Sequence, residues 1–153
     1  QNAIDSKNVN ESYDFVTLLI GVNNQYRGKS MEVYKREFES LLKQAIRFAN
    51  GKADRVIVLS IPDWGVTPFA ADRNRSSIAK DIDHYNDANK KIALEHHVNY
   101  VDVTAGTREA ASDPTRFASD GLHPSGKEYA KWSEKIYLLI QRLCKKNERY
   151  NSQ

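Results

Sequence analysis

The chain has 153 residues, and its 40% hydrophobic and 28% charged residues are typical of one globular domain with a substantial buried core. This composition excludes a disordered or collagen-like chain, and the longest apolar run, residues 15–20, is far shorter than the roughly 20 residues of a membrane-spanning helix. The net charge of +3 comes from intermixed basic and acidic residues, which argues against a nucleic-acid-binding surface.

The first predicted element is a strand over residues 13–21 (YDFVTLLIG). Its near-continuous apolar, β-branched run ends at Gly21, a pattern typical of a strand buried on both faces. Because it is the most apolar strand, we expect it to lie in the centre of the sheet, with further strands supplied by polypeptide upstream. The chain begins with Gln1 and its single methionine is Met31, so we also expect that it does not begin at a natural translation start.

Helices and strands then alternate. An amphipathic pattern predicts a helix over residues 30–50 with Gly51 as its C-terminal stop, followed by a buried strand over residues 55–61 (RVIVLSI). A second helix precedes a short strand over residues 99–103 (NYVDV). The residues that recur at helical spacing in it are Ile78, Ile82, Tyr85, Asn89, Ile92 and Ala93. The alternation predicts a three-layer α/β/α, flavodoxin-like parallel sheet in one domain, residues 1–153, that is incomplete at its N-terminus.

A polar connection over residues 104–124 leads to the last predicted helix. Ser125 is placed to cap that helix, with Glu128 three positions later completing a capping box. Its predicted apolar face consists of Tyr129, Trp132, Ile136, Leu139 and Leu143.

Ligands of open parallel sheets bind outside the carboxyl ends of the strands, and three segments follow strands here: residues 21–24, 62–69 and 104–124. The third contains Asp120 and His123 in the sequence SDGLHPS. A carboxylate beside one imidazole nitrogen fixes the tautomer and leaves the other nitrogen free to take a proton from a hydroxyl nucleophile. A D-x-x-H pattern alone is more often structural, because short motifs have high false-positive rates.

Two further segments carry candidate groups. Gly21 and Asn23, in IGVNN, could bring a backbone and a side-chain amide to a developing oxyanion, although an ordinary turn alone explains such a pattern more often. Trp64 and Phe69, in DWGVTPF, could wall a small acyl or sugar pocket, or close the core under a long loop.

The remaining charged and metal-binding residue types give weaker signals. We expect His84 to be solvated, and His96 and His97 to end the second helix without metal-ligand spacing. Arg73 and Arg75 could hold an anionic substrate, but a solvated loop explains them better. The single cysteine, Cys144, can form no internal disulfide and has no partner for a metal site, so the chain could work in an extracytoplasmic or a cytoplasmic compartment.

The two blocks together, IGVNN after an apolar strand and SDGLHPS before the C-terminal helix, resemble the SGNH (GDSL) hydrolase family over about residues 13–143. The resemblance implies an ester hydrolase in which His123 is the general base, Asp120 orients it and Asn23 stabilises the oxyanion. Asn24 stands where many members have Asp. The implied substrate is a small ester, lipid or acylated sugar, and no metal or organic cofactor is needed.

The resemblance also implies a serine that this chain lacks. The family's nucleophilic Ser lies in a GDS block upstream of the GxND block, whereas only 20 residues precede Gly21 here, too few for a unit of two parallel strands and their crossover. Ser60, Ser119 and Ser125 are better explained as strand, loop and cap residues. We therefore expect the nucleophile to lie upstream, and the fragment itself to have little or no activity.

Two alternatives stay open at this point. The chain could be a non-catalytic ligand- or carbohydrate-binding module on the same scaffold, in which case the complete protein would lack the GDS serine. It could also be one piece of a nicked enzyme, in which case the missing N-terminal segment or another chain would cover the exposed edge of the first strand.

Overall fold

The computed structural model describes residues 12–151, and their side chains up to residue 145. Its sheet is parallel and contains strands β1 (Val16–Leu18), β2 (Val56–Leu59) and β3 (Asn99–Val101), in the order β1-β2-β3. The register of the first pair matches Val16 to Val56 and Leu18 to Val58. Parallel strands with intervening helices define an α/β fold, as the alternating sequence pattern predicts.

Helices connect and flank these strands: α1 (Val22–Tyr26), α2 (Met31–Phe48), α3 (Arg75–Glu95), α4 (Thr104–Glu109) and α5 (Gly126–Asn151). Helix α2 begins where it does because the Ser30 hydroxyl oxygen accepts the Val33 N–H. It ends where Asn50 and Gly51 take positive φ angles of 56° and 75°. Within the described residues, no helix is long and apolar enough to cross a membrane.

Among the three described strands, β2 lies in the middle. All four residues of β2 are buried, as expected for a β-branched run covered on both faces. In β1, Thr17 is exposed and its two neighbours are half-buried, so this strand is not buried on both faces in the described part of the chain. The reason is pairing: β1 has only β2 beside it in this sheet. Its expected further neighbours, supplied by polypeptide upstream, stay a prediction.

The chain divides into two compact units. The first comprises Gln1–Ile61 with Asp81–Tyr100, and the second comprises Pro62–Lys80 with Val101–Gln153. The core of the first unit contains residues of α2, β2 and α3. Its fully buried side chains include Tyr34, Phe38, Leu42, Ile57 and Ile82. The second unit buries, among others, Trp64, Ile78, Val103, Ala110 and Trp132. A single domain over residues 1–153 stays a prediction.

The connection over residues 104–124 is more structured than the sequence pattern predicted. It contains α4 and two 3₁₀ turns, Ala110–Ser112 and Pro114–Arg116. Helix α4 forms because Oδ1 of Asp102 accepts the N–H groups of Thr104 and Ala105, at 2.8 and 3.3 Å.

The start of α5 also differs from the prediction. The Ser125 hydroxyl donates to the Thr115 carbonyl oxygen and the Ser125 N–H donates to the Arg116 carbonyl oxygen, so the predicted capping box does not form. Glu128 is buried instead, and its carboxylate accepts from the indole N–H of Trp132 at 3.1 Å. Tyr129, predicted on the apolar face of this helix, is exposed.

Candidate active site

Residues 117–124, which we call the His123 loop, form a short hairpin in the second unit. Phe117 and Pro124 make an antiparallel bridge at its base, and the Ala118 N–H donates to the His123 carbonyl oxygen at 2.8 Å. The turn needs Gly121, whose φ of 67° lies in the left-handed region that side chains disfavour. The loop therefore has a defined shape before any ligand binds.

Asp120 and His123 are directly hydrogen-bonded within this loop. Nδ1 of His123 lies 2.6 Å from Oδ2 of Asp120. The second carboxylate oxygen, Oδ1, accepts the backbone N–H groups of Leu122 and His123, both at 2.9 Å. The His123 side chain is 67% exposed, and its other ring nitrogen, Nε2, has no hydrogen-bond partner among residues 12–151. Nε2 is thus free to exchange a proton with a ligand.

The hydrogen bonds to Asp120 favour its charged form. The His123 and Leu122 backbone N–H groups, and then the His123 ring, lower the pKa of the Asp120 carboxyl from 3.8 to about 2. A carboxylate that stays ionised at neutral pH accepts the Nδ1 proton of a neutral imidazole and stabilises the imidazolium that forms when Nε2 takes a proton. The arrangement is that of a general base and the group that orients it.

Phe69 lies beside the His123 loop. Its backbone N–H donates to the Gly121 carbonyl oxygen at 3.0 Å. The Phe69 side chain is 42% exposed, and its ring packs against Trp64 with centroids 6.2 Å apart and under the Arg73 guanidinium at 5.6 Å. Trp64 is buried. Of the two aromatic residues predicted to wall a pocket, only Phe69 is exposed, and Trp64 packs against it from the core.

An ion pair between buried Asp63 and half-buried Arg108 anchors the segment that carries Phe69. Oδ2 of Asp63 lies 2.8 Å from Nε of Arg108, and Oδ1 of Asp63 accepts the Gly65 N–H at 2.8 Å. Arg75 donates to the carbonyl oxygens of Ala70 and Thr67, so this arginine stabilises the turn rather than standing free for an anion. The position of Phe69 is therefore set by a network of fixed polar contacts.

Gly21 and Asn23 lie in the first unit, directly after β1. Gly21 is buried with a φ of 129°, and a Cβ there would lie 2.6 Å from Cδ1 of Ile61 and 2.8 Å from the Tyr34 ring. Only glycine fits this position. Asn23 is exposed in the first turn of α1, and its side-chain amide has no hydrogen-bond partner among the described residues. The amide is thus available to a ligand.

Asn24 connects the segment after β1 to helix α2 of the first unit. Its amide donates to the Glu37 carboxylate at 2.7 Å, and further along the Tyr85 hydroxyl donates to the Lys29 carbonyl oxygen at 2.7 Å. The Asn24 amide therefore has a structural partner, whereas that of Asn23 has none.

Two of the three serines considered as nucleophiles are buried or hydrogen-bonded to the main chain. Ser60 is buried at the end of β2, and the Ser125 hydroxyl donates to the Thr115 carbonyl oxygen. Ser119 is exposed at the tip of the His123 loop.

The histidines outside the His123 loop have no common site. His84 is exposed, as predicted, and His97 closes the end of α3 with a φ of 58°. Nε2 of His96 lies 3.2 Å from the Glu39 carboxylate. Within the part of the chain that the structure describes, no group of three or more His, Cys, Asp or Glu side chains could hold a metal ion.

One pair of buried charged residues was missed by the sequence reasoning. Arg116 and Glu128 lie on either side of the His123 loop, with Nη1 of Arg116 3.4 Å from Oε2 of Glu128. The S-x-x-E pattern did mark Glu128, but as a capping residue. No local pattern marks Arg116 as its partner.

The sequence profile of the GDSL-like lipase/acylhydrolase family matches residues 2–131, and the chain belongs to this family. A search of curated proteins gave no significant match.

Several solved structures share the fold. An acetylxylan esterase from Geobacillus stearothermophilus, Axe2, is similar with 22% sequence identity and a TM-score of 0.62 over 91% of this chain. The enzyme LAE5 from the Lake Arreo metagenome (21% identity, TM-score 0.63) covers 90% of this chain, and a lipolytic protein of the G-D-S-L family from Veillonella parvula (19% identity, TM-score 0.62) covers 92%. The chain spans 65%, 64% and 72% of these three structures, respectively.

Proposed function

We propose that the chain carries the general base of an ester hydrolase, with His123 as the base and Asp120 as the carboxylate that orients it. The observation that carries the proposal is the double contact between these residues: the Asp120 carboxylate holds both the ring Nδ1 and the backbone N–H of His123. Membership of the GDSL-like lipase/acylhydrolase family supports ester hydrolysis as the reaction class.

In the proposed reaction, a serine hydroxyl attacks the ester carbonyl carbon while Nε2 of His123 takes the hydroxyl proton. Asp120 stabilises the resulting imidazolium, and Asn23 donates its amide to the oxyanion, with the close backbone approach that Gly21 permits. The tetrahedral intermediate then breaks its bond to the alcohol, which leaves with the proton from Nε2. Water repeats the sequence on the acyl-enzyme and releases the acid.

We propose that the serine is supplied by polypeptide outside these 153 residues. The reason is chemical: Ser60 is buried and Ser125 is engaged with the Thr115 carbonyl oxygen, so neither presents a free hydroxyl. Ser119 is exposed, but it lacks the strand-to-helix turn that presents a nucleophile. By this proposal the 153-residue chain alone hydrolyses esters at no more than the background rate.

The substrate is proposed to be a small ester with its acyl or alcohol group against Phe69. The exposed ring of Phe69, fixed by its backbone contact with the Gly121 carbonyl oxygen, offers an apolar surface next to the His123 loop. The acetylxylan esterase among the similar structures makes an acylated sugar a reasonable first substrate to test.

The polypeptide that supplies the serine is also the proposed partner of β1. The second edge of this strand pairs with no described strand, and the adjacent Tyr13, Leu19 and Ile20 expose apolar side chains. An open edge beside apolar side chains invites a further strand.

The test compares the hydrolysis of a nitrophenyl acetate by the 153-residue chain with that by the complete protein. The proposal predicts hydrolysis by the complete protein only. Equal rates for both would contradict the external serine. If the complete protein has no reactive serine and binds acylated sugars without hydrolysing them, the result would instead support a binding module.

A further inference from the structure

The ion pair of Arg116 and Glu128 joins the two ends of the His123 loop. Arg116 is the residue before the loop, and Glu128 lies in the first turn of α5, which begins shortly after it. The two side chains are only 14% and 1% exposed. The pair therefore connects the segment that enters the loop to the segment that leaves it.

Glu128 has Arg116 as its counter-charge, whereas Arg116 also lies near the Asp113 carboxylate. Nη1 of Arg116 also donates to the Gly106 carbonyl oxygen at 3.1 Å, and Oε1 of Glu128 accepts from Trp132 at 3.1 Å. Nε of Arg116 lies 3.6 Å from the Asp113 carboxylate, and neither this Nε nor Oε2 of Glu128 makes a hydrogen bond among the described residues. A buried charge without its counter-charge is strongly unfavourable, so the two segments are held together.

Hydrogen bonds at the base of the loop transmit this connection to His123. The Ser125 N–H donates to the Arg116 carbonyl oxygen and the Ser125 hydroxyl to the Thr115 carbonyl oxygen, both at 2.8 Å. Two residues further into the hairpin, the Ala118 N–H donates to the His123 carbonyl oxygen at 2.8 Å. The backbone of His123 is thus fixed relative to the segment that carries Arg116.

We propose that Arg116 and Glu128 are a positioning pair for the base, an inference that rests on the proposed function. Their side chains make no hydrogen bond with Asp120 or His123, and they act by keeping the loop closed. When either charge is removed, the ends of the loop separate more often, and the hydrogen bond between Asp120 and His123 is made for a smaller fraction of the time.

The first experiment follows His123 by nitrogen NMR in the 153-residue chain and in Glu128→Gln. This change keeps the oxygen that accepts from Trp132 and removes the charge. In the unchanged chain, neutral His123 should carry its proton on Nδ1. In the variant, both tautomers should appear, and the amide protons of Leu122 and His123, which donate to Asp120, should exchange about tenfold faster or more. Glu134→Gln, exposed on the same helix, is the matched control and should change neither signal.

A double variant separates the loss of positioning from simple misfolding. Arg116→Met combined with Glu128→Leu leaves no unpaired buried charge, and replacements of this kind are often tolerated. Slow exchange of the Val56–Leu59 amides would report that the buried strand is intact in each variant. The inference predicts faster exchange at Leu122 and His123 in this variant also. A folded variant of either kind with unchanged exchange and an unchanged tautomer would overturn the inference.

Kinetics of the complete enzyme separate this inference from the proposed function. Because the pair does not touch the substrate, Glu128→Gln should lower kcat by up to about a hundredfold and leave KM nearly unchanged. If the complete protein hydrolyses no ester but neutral His123 in the variant still shows both tautomers, the proposed function fails and the positioning of His123 stands. If kcat and the His123 tautomer are both unchanged, the positioning pair is refuted.

Discussion

The Asp120 carboxylate holds His123 at two points: Oδ1 accepts the backbone N–H at 2.9 Å, and Oδ2 lies 2.6 Å from ring Nδ1. The main chain and the ring of the same residue are therefore fixed by one carboxylate. This double contact selects the tautomer that leaves Nε2 free as a base, and it needs no atoms from outside the loop.

Asp120→Asn should abolish the selection of the His123 tautomer that carries its proton on Nδ1. The asparagine oxygen can still accept one or both backbone N–H groups, but its NH₂ group would face Nδ1 and donate to it. The neutral ring would then carry its proton on Nε2, and kcat of the complete enzyme should fall by roughly 10⁴-fold. Steady-state hydrolysis of a nitrophenyl acetate measures the loss. Asp87→Asn, exposed on α3, is the control, and an Asp120→Asn enzyme as fast as that control would refute the orienting role.

The ionisation of Asp120 should persist into strong acid. The backbone N–H groups of His123 and Leu122 lower its pKa to about 2, below the ordinary value of 3.8. A depressed pKa in the folded state means that the stabilisation is complete above about pH 3.8 and is lost as the pH falls toward 2. Carbon NMR of the side-chain carboxyl group gives the midpoint directly. A midpoint at 3.8 or above would show that these hydrogen bonds are not formed in solution.

Gly21→Ala should destabilise the first unit. The added Cβ would meet Ile61 and Tyr34 at 2.6 and 2.8 Å, and alanine disfavours a φ of 129°. We expect a loss of about 2 to 4 kcal/mol in the free energy of unfolding, measured by denaturant titration. Gly28→Ala separates the two causes, because Gly28 also has a positive φ but open space around it. Gly28→Ala should lower the free energy of unfolding by less than Gly21→Ala does. An equal decrease for both variants would contradict the steric argument.

Asn23→Ala should leave the fold intact and slow the chemistry. The side chain is exposed and has no hydrogen-bond partner among the described residues, so the free energy of unfolding should change by less than about 0.5 kcal/mol. If its amide binds the oxyanion, kcat should fall by about 10²- to 10³-fold in the complete enzyme, with little change in KM. Asn23→Asp, which removes the donor at constant size, should behave in the same way. Full activity in both variants would remove Asn23 from the site.

The sequence was a good guide where local pattern decides structure. The buried run that forms β2, the end of α2 before Gly51 and the α3 residues Ile78 and Ile82 are as predicted, because each depends on neighbours in the sequence. The same holds for Asp120 and His123, whose contact lies within a tight hairpin that Gly121 makes feasible. Whether these residues act as a base stays a prediction.

The errors occurred where partners distant in sequence decide the outcome. The burial of β1 depends on which strands pair with it, and an apolar composition does not specify that. Ser125 and Glu128 fit a capping box by spacing, but Arg116 and Trp132 offer the carboxylate better buried partners. Helix α4 was missed although Asp102, just before it, is a typical N-terminal capping residue.

The central claim is that His123 is the base of an ester hydrolase, and one rate comparison tests it most directly. Hydrolysis of a nitrophenyl acetate by the complete enzyme is measured beside that by its His123→Ala variant, with folding of both verified by circular dichroism. We predict that the variant loses kcat by roughly 10⁴-fold or more. A folded His123→Ala enzyme that retains the unchanged rate would contradict the proposed function.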